Sequence, residues 1–172
     1  MINAIINGVS GKMGRALDKA ISEENNIKIA AGIDKVLIDT DYPVFSTPWD
    51  CNVSADVIID FSTANAVPEI IKYAVEKNIP LVLCTTGLSA ETLEMVEQAS
   101  KKIPVLRSAN MSLGVNLLIT LVKQAAEILF DSNFDIEIIE KHHNQKADAP
   151  SGTALAIADA INETLENKLN YI

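Results

Sequence analysis

The segment of residues 140–154, EKHHNQKADAPSGTA, concentrates side chains that could carry out acid–base chemistry. It holds both histidines of the chain, His142 and His143, and Lys146 follows closely. Histidine can donate a proton near neutral pH, and a lysine cation can stabilise a developing negative charge. These residue types predict a site that protonates an anionic small molecule.

A metal site is one alternative for this segment, and a charged turn without a catalytic role is another. We expect residues 134–144 to form a strand, in which neighbouring side chains point to opposite faces. The adjacent histidines would then not face one metal ion together. Cys51 and Cys84 lie far away in the sequence without metal-type spacing, which favours two free thiols.

The end of the segment has the pattern of a helix start. Pro150 and Ser151 are predicted to open the helix, with Ser151 as its N-cap. Gly152 and Thr153 would then be the first helical residues, whose backbone N–H groups have no partner inside the helix. A helix start with glycine and a hydroxyl group is a suitable receptor for a carboxylate, so the substrate is predicted to carry one.

A glycine-rich loop, GVSGKMG, lies between a predicted strand at residues 2–7 and a predicted helix. Gly8, Gly11 and Gly14 would let the backbone approach a dinucleotide pyrophosphate at the helix N-terminus. Asp34, at the end of the second strand, could accept hydrogen bonds from the adenosine ribose, and Lys35 could hold a 2′-phosphate. The pattern predicts binding of NADH or NADPH. The alternatives are that the glycine-rich turn binds no ligand and that Lys35 is a solvated loop lysine.

Two further loops, CTTG (84–87) and SANMS (108–112), follow predicted parallel strands. Loops at the carboxyl ends of such strands line the ligand crevice of the sheet. Small polar residues there suit a nicotinamide and its ribose, although each loop alone is equally compatible with an ordinary turn.

Strands and helices alternate from residue 2 to about residue 110, which predicts an α/β fold with a Rossmann-like, doubly wound parallel sheet. Residues 36–54 interrupt the alternation and are predicted to be a loop with a short extended piece. We expect a dinucleotide-binding domain at 1–110 and a partial substrate-binding domain at 111–172. The second domain starts as an α+β substrate and oligomerisation domain, with helices at 112–130 and 151–167.

The net charge of −9 argues against nucleic acid and anionic membranes as partners. The N-terminus lacks a signal-peptide pattern, and no apolar run approaches the roughly 20 residues that a membrane span needs. These features predict a cytoplasmic protein, and the acidic charge still allows an anionic small molecule as its partner, because the local charge of a site can oppose the global one.

The segment IEIIEKHHNQKADAPSGTA resembles the signature of the dihydrodipicolinate reductase family. The motifs GVSGKMGR, DFS, CTTG and SANMSLGVN follow in family order at family-like intervals, so the resemblance covers essentially the whole chain. It implies the nicotinamide-dependent reduction of an unsaturated cyclic imine dicarboxylate in lysine and diaminopimelate biosynthesis.

The resemblance also implies roles for individual residues. His142 would be the proton donor, Lys146 would assist it, and His143, Lys146, Gly152 and Thr153 would contact the substrate. Cys84 stands where relatives often have glycine. The implied cofactor residues are Gly8, Gly11, Lys12, Met13, Gly14, Asp34, Lys35, Cys84, Thr85, Thr86, Gly87, Ser108, Ala109, Asn110 and Met111.

Family members continue well beyond residue 172, so we expect this chain to be a fragment or a shortened relative. The resemblance implies a homotetramer for a complete chain and leaves the assembly of this one open, because the tetramer is built largely from the substrate domain's sheet. Two other functions remain as alternatives: an inactive nicotinamide-binding fragment or non-catalytic module, and a related amino-acid dehydrogenase.

Overall fold

The computed structural model describes residues 1–108, 110–132, 134–142, 144 and 149–172. The chain divides into two compact units, Met1–Ser108 and Ala109–Ile172.

The first unit is built on one six-stranded sheet in which every neighbouring pair of strands is parallel. The strand order is β3-β2-β1-β4-β5-β6, which confirms the predicted Rossmann-like sheet. The strands are β1 Ile2–Asn7, β2 Ile27–Ile33, β3 Val44–Phe45, β4 Val57–Asp60, β5 Leu81–Leu83 and β6 Val105–Arg107.

Three helices connect these strands: α1 Lys12–Ser22, α2 Val67–Lys77 and α3 Ala90–Ser100. Ser89 caps α3 by accepting a hydrogen bond from the backbone N–H of Thr92 at 3.2 Å. Asn78 ends α2 in the left-handed conformation.

Apolar side chains cover both faces of the sheet. Ile5 and Ile6 are both fully buried, but neighbouring residues of a strand point to opposite faces, and they belong to different clusters. The cluster of Ile5 includes Ile70 and Val96 from α2 and α3, whereas that of Ile6 includes Ile21 from α1. Helices therefore flank the sheet on both sides, which is the doubly wound arrangement.

The loop predicted at residues 36–54 contains the short extended piece that was expected. That piece is β3, which pairs with the end of β2 at the edge of the sheet. A 3₁₀ turn at Pro48–Asp50 follows, and Thr47 caps it. Trp49 of this turn packs edge-on against Tyr73 of α2, with ring centroids 5.5 Å apart.

The described residues of the second unit form two helices, α4 Leu113–Leu129 and α5 Gly152–Thr164, with a 3₁₀ turn at Phe130–Ser132 after α4. They share a small core in which Ala126, Ile161 and Leu165 are buried. The strand predicted at residues 134–144 is wrong for the described part of that range, which has no strand assignment. A strand needs a neighbour for its backbone hydrogen bonds, and no other strand occurs among the described residues of this unit.

The expectation that no apolar run approaches a membrane span also needs correction. The helical stretch Leu113–Ser132 is 20 residues long and strongly apolar, so it meets the length and composition criteria of a membrane-spanning helix. The stretch meets these criteria because few charged residues interrupt its apolar sequence. Helices of soluble proteins can meet the same criteria, and a single such helix is weak support for a span.

Candidate functional site

The glycine loop leaves the carboxyl end of β1 and makes close backbone contacts that side chains would block. Gly8 has a φ of +85°, and a Cβ there would lie 2.7 Å from the carbonyl oxygen of Phe61. A Cβ on Gly14 would overlap the Gly8 carbonyl oxygen and the backbone of Val9. The loop therefore depends on glycine at these two positions.

The loop ends at the start of α1, which offers backbone donors for an anion. Gly11 is the N-cap of this helix and has no side chain to satisfy the first N–H groups. Lys12 and Met13 of the first turn are exposed. A phosphate group at this position would meet unpaired N–H groups and the positive end of the helix dipole.

Asp34 lies just beyond β2 and binds the glycine loop. Its carboxylate accepts hydrogen bonds from the backbone N–H groups of Ser10 at 3.0 Å and Val36 at 3.1 Å. Partial burial alone would raise the pKa of Asp34, but its hydrogen bonds with Ser10, Val36 and Lys35 outweigh that effect and lower the pKa. Asp34 is thus held as a carboxylate, while its neighbour Lys35 is exposed.

A buried polar network, which was not among the features predicted from the sequence, joins three strand ends beside the loop. Asp60 is fully buried at the end of β4. Its carboxylate accepts hydrogen bonds from Asn7 Nδ2 at 2.6 Å, Ser62 Oγ at 2.6 Å and Thr85 Oγ1 at 2.5 Å. The motif DFS was the available signal, because an acid that ends an apolar strand must find buried partners.

The network lies where β1 and β4 are neighbours, which is the topological switch point of the sheet. Ligands of such sheets bind outside the carboxyl ends of the strands at this point. Of the predicted CTTG residues, Cys84 and Thr85 are buried, whereas Thr86 and Gly87 are exposed. Ser108 follows β6, and its N–H donates to the Leu83 carbonyl at 3.1 Å. The strand order thus brings the glycine loop and CTTG to one edge of the sheet.

The start of α5 has the geometry that the sequence predicts. Ser151 is its N-cap, is 4% exposed, and accepts a hydrogen bond from the Ala154 N–H at 3.0 Å. Gly152 and Thr153 are the first two helical residues. The side chain of Asn110 donates to Thr153 Oγ1 at 3.0 Å, so a predicted cofactor residue and a predicted substrate residue are in direct contact.

His142 is half-exposed and lies close to a carboxylate. Its Nδ1 is 3.4 Å from Glu140 Oε2, and the other carboxylate oxygen, Oε1, accepts a hydrogen bond from the Ser151 N–H at 2.7 Å. Glu140 was not among the site residues predicted from the sequence. The acid two residues before a candidate proton donor was the signal that could have indicated one.

Three predicted site residues, Ala109, His143 and Lys146, lie outside the described residues. Within the part of the chain that the structure describes, no group of three or more His, Cys, Asp or Glu side chains could hold a metal ion.

Two family models account for nearly the whole chain. The model described as "Dihydrodipicolinate reductase, N-terminus" matches residues 2–111, and "Dihydrodipicolinate reductase, C-terminus" matches residues 114–171. The chain belongs to the dihydrodipicolinate reductase family. The first unit accordingly has the sheet and glycine loop of a domain that binds a nicotinamide cofactor.

Individual members of the dihydrodipicolinate reductase family agree with this assignment. The 4-hydroxy-tetrahydrodipicolinate reductase of Caldanaerobacter subterraneus is 54% identical over 172 residues, which are 100% of this chain and 68% of that protein. The enzyme of the same name from Clostridium botulinum is 46% identical with the same coverage. A solved structure, dipicolinate-bound dihydrodipicolinate reductase from Paenisporosarcina sp. TG-14, aligns with a TM-score of 0.74 and 27% identity, covering 100% of this chain and 69% of that one.

Proposed function

We propose that this chain catalyses the nicotinamide-dependent reduction of 4-hydroxy-tetrahydrodipicolinate to tetrahydrodipicolinate, a step of lysine and diaminopimelate biosynthesis in the cytoplasm. The observation that carries the proposal is 54% identity to a reductase of that name along the whole chain. The balanced reaction consumes one reduced cofactor and one proton, and it releases the oxidised cofactor and water.

The first unit is proposed to hold the cofactor, with residues 1–110 as the dinucleotide-binding domain. The glycine loop and the start of α1 fit a pyrophosphate, because the backbone packs closely and the helix presents N–H donors. Asp34 is ionised and suits ribose hydroxyl groups, and the exposed Lys35 suits a 2′-phosphate. We therefore propose that both NADH and NADPH are accepted. The cofactor, when bound, supplies the hydride.

The second unit is proposed to hold the substrate, with residues 111–172 as part of the substrate domain. The start of α5 at Gly152 and Thr153 offers N–H groups and a hydroxyl for one carboxylate. That the related Paenisporosarcina enzyme was solved with dipicolinate, itself a dicarboxylate, supports this substrate class. By family resemblance, His143 and Lys146 would contact the substrate as well.

His142 is proposed as the proton donor. Hydride addition to the conjugated imine leaves an electron-rich enamine, which must gain a proton at carbon. An imidazolium at His142 can give that proton, and Lys146 can stabilise the charge that develops. For a chain of full family length we also propose a homotetramer, as the resemblance implies.

The test is NADH oxidation by this chain with the cyclic substrate made in situ by its synthase. We expect His142→Gln to lower kcat by about 10²- to 10⁴-fold, the usual contribution of a general acid, with unchanged NADH affinity. Lys141→Gln is the matched control, since Lys141 is an exposed neighbour without an assigned role.

Each outcome of this assay separates the alternatives. Turnover that collapses only in His142→Gln supports both the reaction and the proton donor. NADH binding without turnover in any variant would instead identify a nicotinamide-binding module. In a parallel assay with NAD⁺ and amino acids, oxidation of an amino acid by a chain that does not reduce the cyclic substrate would indicate an amino-acid dehydrogenase.

A further inference from the structure

The contact between Glu140 and His142 suggests more than a chance surface pair. Glu140 Oε2 lies 3.4 Å from His142 Nδ1, and the Glu140 side chain is 27% exposed. This separation is longer than an ordinary hydrogen bond and lies within the range of an ion-pair contact. The contact involves Nδ1, so the other ring nitrogen, Nε2, is the one left for a substrate.

Glu140 is itself held in place by the start of α5. Its Oε1 accepts a hydrogen bond from the Ser151 N–H at 2.7 Å, a short distance for an N–H donor. Ser151 is buried and caps the helix through its own hydroxyl, so the N–H that holds Glu140 belongs to a capped helix start. The positive end of the helix dipole also favours an ionised carboxylate at this position.

We propose that Glu140 is a positioning residue that fixes the ring orientation and tautomer of His142. A carboxylate can only accept, so Nδ1 of the facing imidazole must carry a hydrogen to interact favourably with it. The neutral ring then has its lone pair on Nε2. This inference rests on the proposed role of His142 as proton donor.

The consequence for the reaction is specific. The imidazolium carries hydrogen on both nitrogens, and the Nε2–H bond breaks as a C–H bond forms at the enamine carbon. The electron pair of the broken bond stays on Nε2, which leaves the neutral ring with hydrogen on Nδ1. Glu140 favours that tautomer, which is the form of His142 that remains after proton transfer. By stabilising this form, Glu140 assists proton donation.

The variant Glu140→Gln makes the opposite tautomer the favoured one. The Ser151 N–H is a donor and requires an oxygen, so the glutamine carbonyl takes the place of Oε1. The glutamine NH₂ then faces His142 Nδ1 and can only donate to it, which requires a lone pair on Nδ1 and moves the hydrogen to Nε2. In serine proteases the same kind of acid-to-amide change causes the wrong tautomer of the catalytic histidine.

The decisive experiment is ¹⁵N NMR of the histidine side chains at alkaline pH, where the imidazole is neutral. The chain has two histidines, and the signals that disappear in His142→Gln identify those of His142. We expect Nδ1–H to predominate in the native chain and Nε2–H to predominate in Glu140→Gln. Glu137→Gln, an exposed acid in the same segment, is the matched control and should leave the tautomer as it is.

Kinetics complement the spectra. We expect kcat of Glu140→Gln to fall by about 10- to 100-fold, within the range that a general acid contributes, with little change in NADH affinity. The same His142 tautomer in the native chain and in Glu140→Gln would overturn the inference, even if His142→Gln abolishes turnover. A reversed tautomer together with full turnover by His142→Gln would leave the positioning contact intact and refute the proposed role of His142.

Discussion

At the scale of single residues, the buried acid Asp60 binds several side chains at the carboxyl edge of the sheet. It accepts hydrogen bonds from Asn7, Ser62 and Thr85, which satisfies donors at the ends of β1 and β5 together with one beyond β4. Cys84 lies beside it. Burial first, and then the negative charge of Asp60, raise the pKa of the Cys84 thiol to about 11.

This pKa leads to a test of the Asp60 charge. In a Cys51→Ser background, where Cys84 is the sole thiol, alkylation by iodoacetamide should be slow at neutral pH and should increase with a midpoint near pH 11. Asp60→Asn removes the neighbouring negative charge, so we expect the midpoint to move to lower pH while burial keeps it above the ordinary thiol value. An unchanged midpoint in a variant with a native circular dichroism spectrum would show that the Asp60 charge does not reach Cys84.

At the scale of elements, the strand–loop–helix unit formed by β1, the glycine loop and α1 depends on backbone packing. The Gly14 Cα faces the Gly8 carbonyl and Val9, and there is no space for a Cβ. Gly11 differs, because a Cβ there would lie 3.3 Å from the Gly8 carbonyl and requires only a small adjustment. Its φ of −70° is also accessible to any residue.

The two glycines of this unit should therefore respond differently to alanine. We expect Gly14→Ala to lower the free energy of unfolding by about 1–3 kcal/mol or more, as overpacking does, and to abolish NADH binding. Gly11→Ala should cost less than about 1 kcal/mol, since only an N-cap preference is lost. Urea unfolding followed through Trp49, the single tryptophan and a residue of the first unit, measures both. Equal losses in the two variants would contradict the packing argument.

At the scale of the whole molecule, helix α4 is apolar on two sides. Val122 and Ala126 belong to the small core that α4 forms with α5. The opposite side exposes large apolar residues at helical spacing, namely Leu113, Leu117, Leu121 and Ile128, which are between 53% and 86% exposed. An exposed apolar stripe of this kind is typical of an interaction surface.

We expect this stripe to cause self-association of the 172-residue chain. The double variant Leu117→Gln, Leu121→Gln should lower the average mass in sedimentation velocity at high protein concentration, because it removes apolar surface that association would bury. Gln124→Ala, at an exposed polar position of the same helix, serves as the control and should change little. If the double variant associates as strongly as the native chain, another surface is responsible.

Local interactions explain which features the sequence by itself determined. The alternation of strands and helices, the N-cap Ser151 and the glycine loop depend on residues close together in the chain, so their patterns predicted them correctly. The expected strand at 134–144 was wrong among its described residues because a strand requires a neighbour that alternation of apolar residues cannot supply.

Tertiary structure decided the features that join distant parts of the chain. The strand order sets β1 beside β4, so that Asn7 and Asp60, 53 positions apart, share a buried hydrogen bond. The return of the chain at α5 brings the Ser151 N–H, 11 positions away, to the Glu140 carboxylate that faces His142. The sequence contains each of these residues, but it does not show which of them are hydrogen-bond partners. Residues so far apart in the chain meet only when the elements that carry them pack together.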